Sequence, residues 1–82
     1  MSMGIYELNA GSKDLQSPHT EDEIYYVLRG VATIRVGDED IPVTVGSIVY
    51  VAANVQHYFH TITEDISLLV FFAPAEYANE SS

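Results

Sequence analysis

The sequence predicts an all-β sandwich or barrel. Apolar, β-branched and aromatic residues gather in roughly seven or eight short runs, and turn-forming residues separate these runs about every 8 to 12 positions. No stretch of the chain makes a convincing helix. These observations together favour strands connected by tight turns.

The elements follow one another without a repeat or a linker, so we predict one domain over residues 1–82, with a flexible tail at 76–82. Pro42 places its strand at a sheet edge or at the start of the strand, because proline cannot donate to a ladder. Turn chemistry is strongest at 9–14, 37–40 and 63–65. The predicted strands are 3–8, 23–29, 31–36, 41–45, 47–51, 57–62 and 66–72.

Residues 18–29 also fit a capped helix. Ser17 suits the N-cap, Pro18 suits the first helical position, and Gly30 suits the C-terminal cap. Within this segment, however, the run Ile-Tyr-Tyr-Val is β-branched or aromatic, and such side chains lose rotamer freedom in a helix. We therefore predict a strand at 23–29.

The composition is that of a packed globular chain, with 82 residues of which 48% are hydrophobic. No apolar run reaches the roughly 18 residues of a membrane span, and the start lacks a signal-peptide pattern, so we expect a cytoplasmic protein and no membrane partner. The formal net charge of −9 would repel nucleic acid. Cysteine is absent, so any metal ligand has to be histidine, carboxylate, amide or water.

Two histidines and one carboxylate are the candidate metal ligands. His19 and Glu23 are four residues apart and would share a face of an extended segment, while His57 opens a later strand. Such a set matches the facial triad of non-haem iron sites and also the His₂Glu set of catalytic zinc sites. His60 should face away from His57 because their spacing is odd, so we leave it out of the site.

These residues fall into two spaced motifs, and the chain resembles a small single-domain cupin of the conserved-barrel type. Motif one spans 11–30 and motif two spans 46–61. In motif one the matching positions are Gly11, Ser17, Pro18, His19, Glu23 and Gly30. Motif two aligns at Gly46, Ala52, Ala53, Asn54, His57 and Thr61, and keeps few of the family's residue types, since Ala52 and Asn54 replace its proline and glycine.

The resemblance implies a cupin-type double-stranded β-helix, that is, a jelly-roll barrel, with a divalent metal ion inside it. By position, His19, Glu23 and His57 would hold the ion, and its identity stays open among iron, manganese, zinc and nickel. Ser17 stands where the family has a further histidine ligand, and a hydroxyl is a poor ligand, so either water fills that position or the site is weakened. The side chains expected to line the interior are Tyr25, Val27, Tyr50 and Phe59.

Two functions remain open at this point. The first is a metal-dependent cupin that binds or transforms a small oxygen-bearing metabolite. The alternative is a non-catalytic binding or sensor module with a degenerate metal site, and Ser17 is the feature that supports it. The fold hosts both enzymes and non-enzymes, so no catalytic residue is assigned.

Apolar residues lie on both faces of several predicted strands, namely 24–28, 48–51 and 66–72. A single barrel covers only its inward face, so an outward set that includes Ile24, Tyr26 and Leu28 would remain exposed. We therefore predict a homodimer that buries this outward set.

Overall fold

The computed structural model describes residues 2–14 and 21–74, and these residues form strands and turns with no helix among them. Ser17, His19 and the tail at 76–82 lie outside the described residues. The described part of the alternative helix is strand, as predicted. The five strands are β1 (Ser2–Leu8), β2 (Glu21–Val36), β3 (Glu39–Val43), β4 (Ile48–Val51) and β5 (His57–Pro74).

All strand pairings are antiparallel, and the two long strands β2 and β5 form the centre of the sheet. The sheet order is β1-β5-β2-β3, and β4 pairs with β2. Strand β3 lies at one end of this order, so Pro42 occupies an edge strand as predicted. The result is the all-β jelly-roll fold that the sequence predicts.

The number of strands is lower than predicted because two pairs of predicted strands are continuous. The segments 23–29 and 31–36 both belong to β2, and 57–62 and 66–72 both belong to β5. The predicted turn at 63–65 is therefore wrong. In its place the β2–β5 ladder shifts register between Val27 and Thr33, and such bulges bend the strands without ending them.

Side chains alternate strictly along the first half of β2, as expected for a strand with one face inside the barrel. Glu23, Tyr25 and Val27 point inward and are buried, whereas Ile24 and Tyr26 point outward. The apolar pattern of the sequence also predicts six buried core residues, namely Ile34, Val36, Val49, Val51, Leu68 and Val70. Five of them are buried, and Val36 is partly buried and packs against the core.

The described residues contain no helix long and apolar enough to cross a membrane. The cytoplasmic location stays a prediction.

Candidate functional site

Glu23 and His57 meet inside the barrel, and each side chain is only 1% exposed. Their Oε2 and Nε2 atoms are 3.5 Å apart. Along the ladder the two residues are far from each other, since Glu23 pairs with Phe72 and His57 pairs with Val36. They come together because the bent ladder brings its two ends face to face across the interior.

The ring of His57 is held by the turn that precedes β5. Its Nδ1 atom lies 2.8 Å from the backbone carbonyl oxygen of Val55. Asn54 makes this turn possible by adopting a positive φ of 67°, and the Val55 amide donates to the Ala52 carbonyl. A carbonyl only accepts, so Nδ1 donates this hydrogen bond and Nε2 is the ring nitrogen that faces the barrel interior.

Tyr25 is the third polar side chain in the interior, next to Glu23 and His57. Its hydroxyl lies 3.1 Å from His57 Nε2, and its ring stands edge-on to Phe59 with centroids 5.2 Å apart. Tyr25, Val27 and Phe59 are all buried on the inward face. These three residues therefore occupy the interior positions expected from the sequence.

Tyr50 does not line the interior, and that prediction is wrong. Its side chain is 58% exposed, on the outer face of β4. The neighbouring Val49 and Val51 point inward, and strict alternation then turns Tyr50 outward, where it pairs with Ile24. A run in which every residue is apolar hides this alternation in the sequence.

The described donors fit a divalent metal ion. Glu23 offers a carboxylate oxygen, and His57 offers its Nε2 atom while its Nδ1 atom is held by a backbone carbonyl, the arrangement usual for metal-ligating histidine. Within residues 2–14 and 21–74, no group of three or more His, Cys, Asp or Glu side chains is placed to hold an ion. The third expected ligand, His19, and Ser17 lie outside these ranges.

His60 lies away from the site, as predicted. Its Nε2 atom is 2.9 Å from Asp40 Oδ1, and its Nδ1 atom is 2.9 Å from the hydroxyl of Thr61. Its side chain is one third exposed on the outer surface. This histidine belongs to a surface cluster that also includes Arg35.

Asp14 is buried, although the sequence predicts only a turn residue at this position. Its Oδ1 atom accepts a hydrogen bond of 2.5 Å from the Tyr6 hydroxyl, and its Oδ2 atom accepts one of 2.9 Å from the Phe59 amide. Burial raises the pKa of Tyr6, and the hydrogen bond and charge of Asp14 raise it further. Asp14 thus fastens β1 and the segment leading toward His19 to the strand that carries His57.

The sequence of the chain is similar to that of a known protein family and of a bacterial relative. The sequence profile of the cupin domain matches residues 4–72. The uncharacterized protein SCO3923 of Streptomyces coelicolor is 53% identical over 76 residues, which cover 93% of this chain and 72% of that protein.

Two solved structures show the same fold at low sequence identity. The plu4264 protein of Photorhabdus luminescens is 24% identical with a TM-score of 0.80, covering 96% of this chain and 66% of its own. A protein from Thermotoga maritima described as a predicted oxalate decarboxylase is 24% identical with a TM-score of 0.76, covering 88% of this chain and 64% of its own. The chain thus spans slightly less than two thirds of the length of these two proteins.

Proposed function

Since this chain belongs to the cupin family, we propose that its barrel binds a divalent metal ion through His19, Glu23 and His57 and uses it to bind or transform a small oxygen-bearing metabolite. The observation that carries the proposal is the contact of 3.5 Å between Glu23 and His57. Both groups are buried and the imidazole is oriented by a backbone carbonyl, so a nitrogen and an oxygen donor converge in an enclosed space.

The ion would supply Lewis-acid or dioxygen chemistry at this point. The side chains of the chain supply the remainder of the site. Val27 and Phe59 exclude water from one wall, and the Tyr25 hydroxyl adds a hydrogen-bonding group next to His57. The structurally similar protein from Thermotoga maritima is described as a predicted oxalate decarboxylase, and oxalate is a small carboxylate, which supports a metabolite of this kind.

The alternative function is a binding or sensor module without catalysis. Its support is Ser17, which stands where the family has a ligand histidine. A site with one ligand fewer holds an ion less tightly, so the module would bind its small molecule through the barrel walls alone. Metal content separates the two functions.

The experiment is elemental analysis of the purified chain after equilibration with iron, manganese, zinc and nickel salts. The metal-dependent cupin predicts close to one ion per chain, and Glu23→Gln or His57→Gln should abolish this stoichiometry. His60→Gln is the matched control, because it removes a histidine outside the barrel. A wild-type chain that retains no ion would contradict the metal-dependent function and leave the binding or sensor module as the remaining alternative.

We also propose that the chain is a homodimer, and the cross-strand register supports this. Two rows of apolar side chains cross the outer face from β1 through β5 and β2 to β4. We call these eight residues the outer patch. One row is Met3, Phe71, Ile24 and Tyr50, and the other is Ile5, Leu69, Tyr26 and Ile48.

A second copy of the chain is the partner that suits the outer patch. None of its eight residues is charged, although the chain carries a net charge of −9. Two such chains repel each other across most of their surfaces, and the repulsion is weakest where uncharged faces meet. A two-fold contact would also enlarge the buried core of an 82-residue chain, which is small for a single domain.

A further inference from the structure

The segment between β4 and β5 orients the imidazole of His57. Nδ1 of the ring lies 2.8 Å from the Val55 carbonyl oxygen. Val55 itself ends a β-turn over residues 52–55, which its amide closes onto the Ala52 carbonyl at 3.2 Å. Asn54 is the third residue of this turn and has a φ of 67°, as in a type II turn. The orientation of the His57 ring therefore depends on where this turn lies relative to the barrel.

The backbone ladder between β2 and β4 ends just before this turn. Its last pair is Glu23 with Val51, so strand pairing holds β4 up to residue 51. The side chain of Asp22 makes the next connection, because its Oδ1 atom accepts a hydrogen bond of 2.8 Å from the Ala53 amide. Asp22 thereby extends the link between the two strands into the turn.

This hydrogen bond joins the two parts of the chain that carry Glu23 and His57. Asp22 directly precedes Glu23 on β2, and Ala53 lies in the turn that presents the Val55 carbonyl to His57. A movement of the turn relative to β2 would therefore change the 3.5 Å distance between Glu23 Oε2 and His57 Nε2. Groups that orient a metal ligand from outside the coordination sphere have a strong effect on metal affinity.

The far end of the same segment is held by backbone atoms. The Gly37 amide donates a hydrogen bond of 2.8 Å to the Gln56 carbonyl. The segment is thus held at two points, and Asp22 supplies the one next to Glu23. A carboxylate is a strong acceptor for a backbone amide, so this side chain is a firm anchor for the turn.

Asp22 does not itself face the interior. Glu23 points inward, and alternation along β2 turns Asp22 to the outer face. There it lines a shallow cleft with Ile24 and Tyr50, and its carboxylate also bonds to the Tyr50 hydroxyl. Asp22 can therefore act on the site only through the residues that it holds in place.

We propose that Asp22 is a positioning residue of the metal site: its carboxylate holds the turn 52–55 against β2 and so keeps His57 Nε2 within reach of an ion bound by Glu23. This inference rests on the proposed metal binding and adds to it a residue that touches neither the ion nor a ligand.

The test compares the Zn²⁺ affinities of Asp22→Ala and Asp22→Asn by isothermal titration calorimetry. Asp22→Ala removes the acceptor and should weaken Zn²⁺ binding about 3- to 10-fold. Asp22→Asn keeps an acceptor oxygen but removes the charge, so its affinity should stay within about 2-fold of the wild type. Asp65→Ala is the matched control, because Asp65 Oδ1 accepts a similar bond of 2.7 Å from the Ala10 amide at an exposed position. This control should leave the affinity unchanged.

Urea denaturation of the metal-free chains separates positioning from stability. If Asp22 were only structural, Asp22→Ala would lower the free energy of unfolding and leave the Zn²⁺ affinity of the folded chain unchanged, which would overturn the inference. Equal losses of affinity in Asp22→Ala and Asp22→Asn would also overturn it, because the charge beside Glu23 would then be the cause. Tyr50→Phe removes the other partner of Asp22 and should not change the affinity.

A measurement without metal tests the same step. Exchange of the His57 Nδ1 proton with solvent, followed by NMR, should be faster in Asp22→Ala than in the wild type and Asp22→Asn, because the turn holds the ring less firmly. Equal exchange rates would overturn the inference. If the wild type binds Zn²⁺ and Asp22→Ala binds it equally well, only the inference is wrong. If the wild type binds no Zn²⁺, the proposed function is wrong, and proton exchange alone decides whether Asp22 positions His57.

Discussion

The backbone carbonyl oxygen of Asp65 lies 2.3 Å from the point where a β-carbon on Gly30 would be. The Cα atom of Ile66 is 2.6 Å from the same point. Gly30 also has a positive φ of 99°, which other residues rarely adopt. The two central strands can cross this closely only because residue 30 has no side chain.

We therefore expect Gly30→Ala to destabilise the chain strongly. The added methyl group meets backbone atoms, which cannot rotate away, and the positive φ adds strain. Together these effects should lower the free energy of unfolding by roughly 2–5 kcal/mol, as measured by urea denaturation.

Two other glycines separate the contributions of contact and strain. Gly11→Ala tests the strain alone, because Gly11 has a φ of 78° and no atom lies within 4 Å of the point where its β-carbon would be. Its expected cost is about 1–2 kcal/mol. Gly4→Ala should be close to neutral, since Gly4 has open space and no positive φ. Equal effects at Gly30 and Gly11 would contradict the close crossing.

The inward positions of β2 were predictable from the sequence, whereas the length of the two central strands was not. Period-two alternation places Glu23, Tyr25 and Val27 on one face, and the structure agrees. Gly30 has the same appearance in a sequence whether it ends a strand or permits a close crossing. Only the close approach of backbone atoms of the distant residues Asp65 and Ile66 distinguishes the two.

The burial of Asp14 could not be predicted from the sequence for a related reason. Aspartate in a polar stretch is usually a turn residue at the surface. Its actual partners, Tyr6 and Phe59, are 8 and 45 residues away along the chain. Contacts of this range leave no local signal, so a buried carboxylate and an exposed one look alike.

Asp14→Ala should lower the free energy of unfolding by about 2–4 kcal/mol. It leaves the Phe59 amide and the Tyr6 hydroxyl without this acceptor, and hydrogen bonds to charged groups are among the stronger ones. Tyr6→Phe removes only one of the two bonds and should cost about 1 kcal/mol or somewhat more. A variant Asp14→Ala as stable as the wild type would show that this carboxylate does not fasten the strands.

Tyr6 should also make stability depend on alkaline pH. Burial and Asp14 raise the pKa of Tyr6 in the folded chain above its ordinary value of 10.0. The unfolded chain therefore loses this proton first, and the stabilisation is fully present below pH 10.0 and declines as pH rises above it. In urea denaturation between about pH 8 and 11, the difference in free energy of unfolding between the wild type and Tyr6→Phe should shrink with rising pH. A difference that stays constant over this range would contradict the raised pKa of Tyr6.

Zinc should stabilise the folded chain if His57 and Glu23 hold an ion. At a zinc concentration about 100 times the dissociation constant, the stabilisation is about 2.7 kcal/mol, which raises Tm by roughly 10–20 °C for a chain of this size. Differential scanning fluorimetry should show this shift for the wild type and for His60→Gln. The shift should disappear in Glu23→Gln and His57→Gln, and its persistence there would place the zinc elsewhere.

The outer patch should hold two copies of the chain together. Full burial of each large apolar side chain contributes roughly 1.5–3 kcal/mol, so a lysine within the patch should weaken the dimer strongly. Light scattering at micromolar concentration should give twice the 9.1 kDa mass of one chain for the wild type and the single mass for Tyr26→Lys or Ile5→Lys. Val45→Lys is the matched control, because Val45 is equally apolar and exposed but lies in the turn between β3 and β4, outside the patch. A wild-type mass near 9.1 kDa would contradict the dimer. If Val45→Lys dissociates the dimer as readily as Tyr26→Lys does, then net charge, and not the outer patch, controls association.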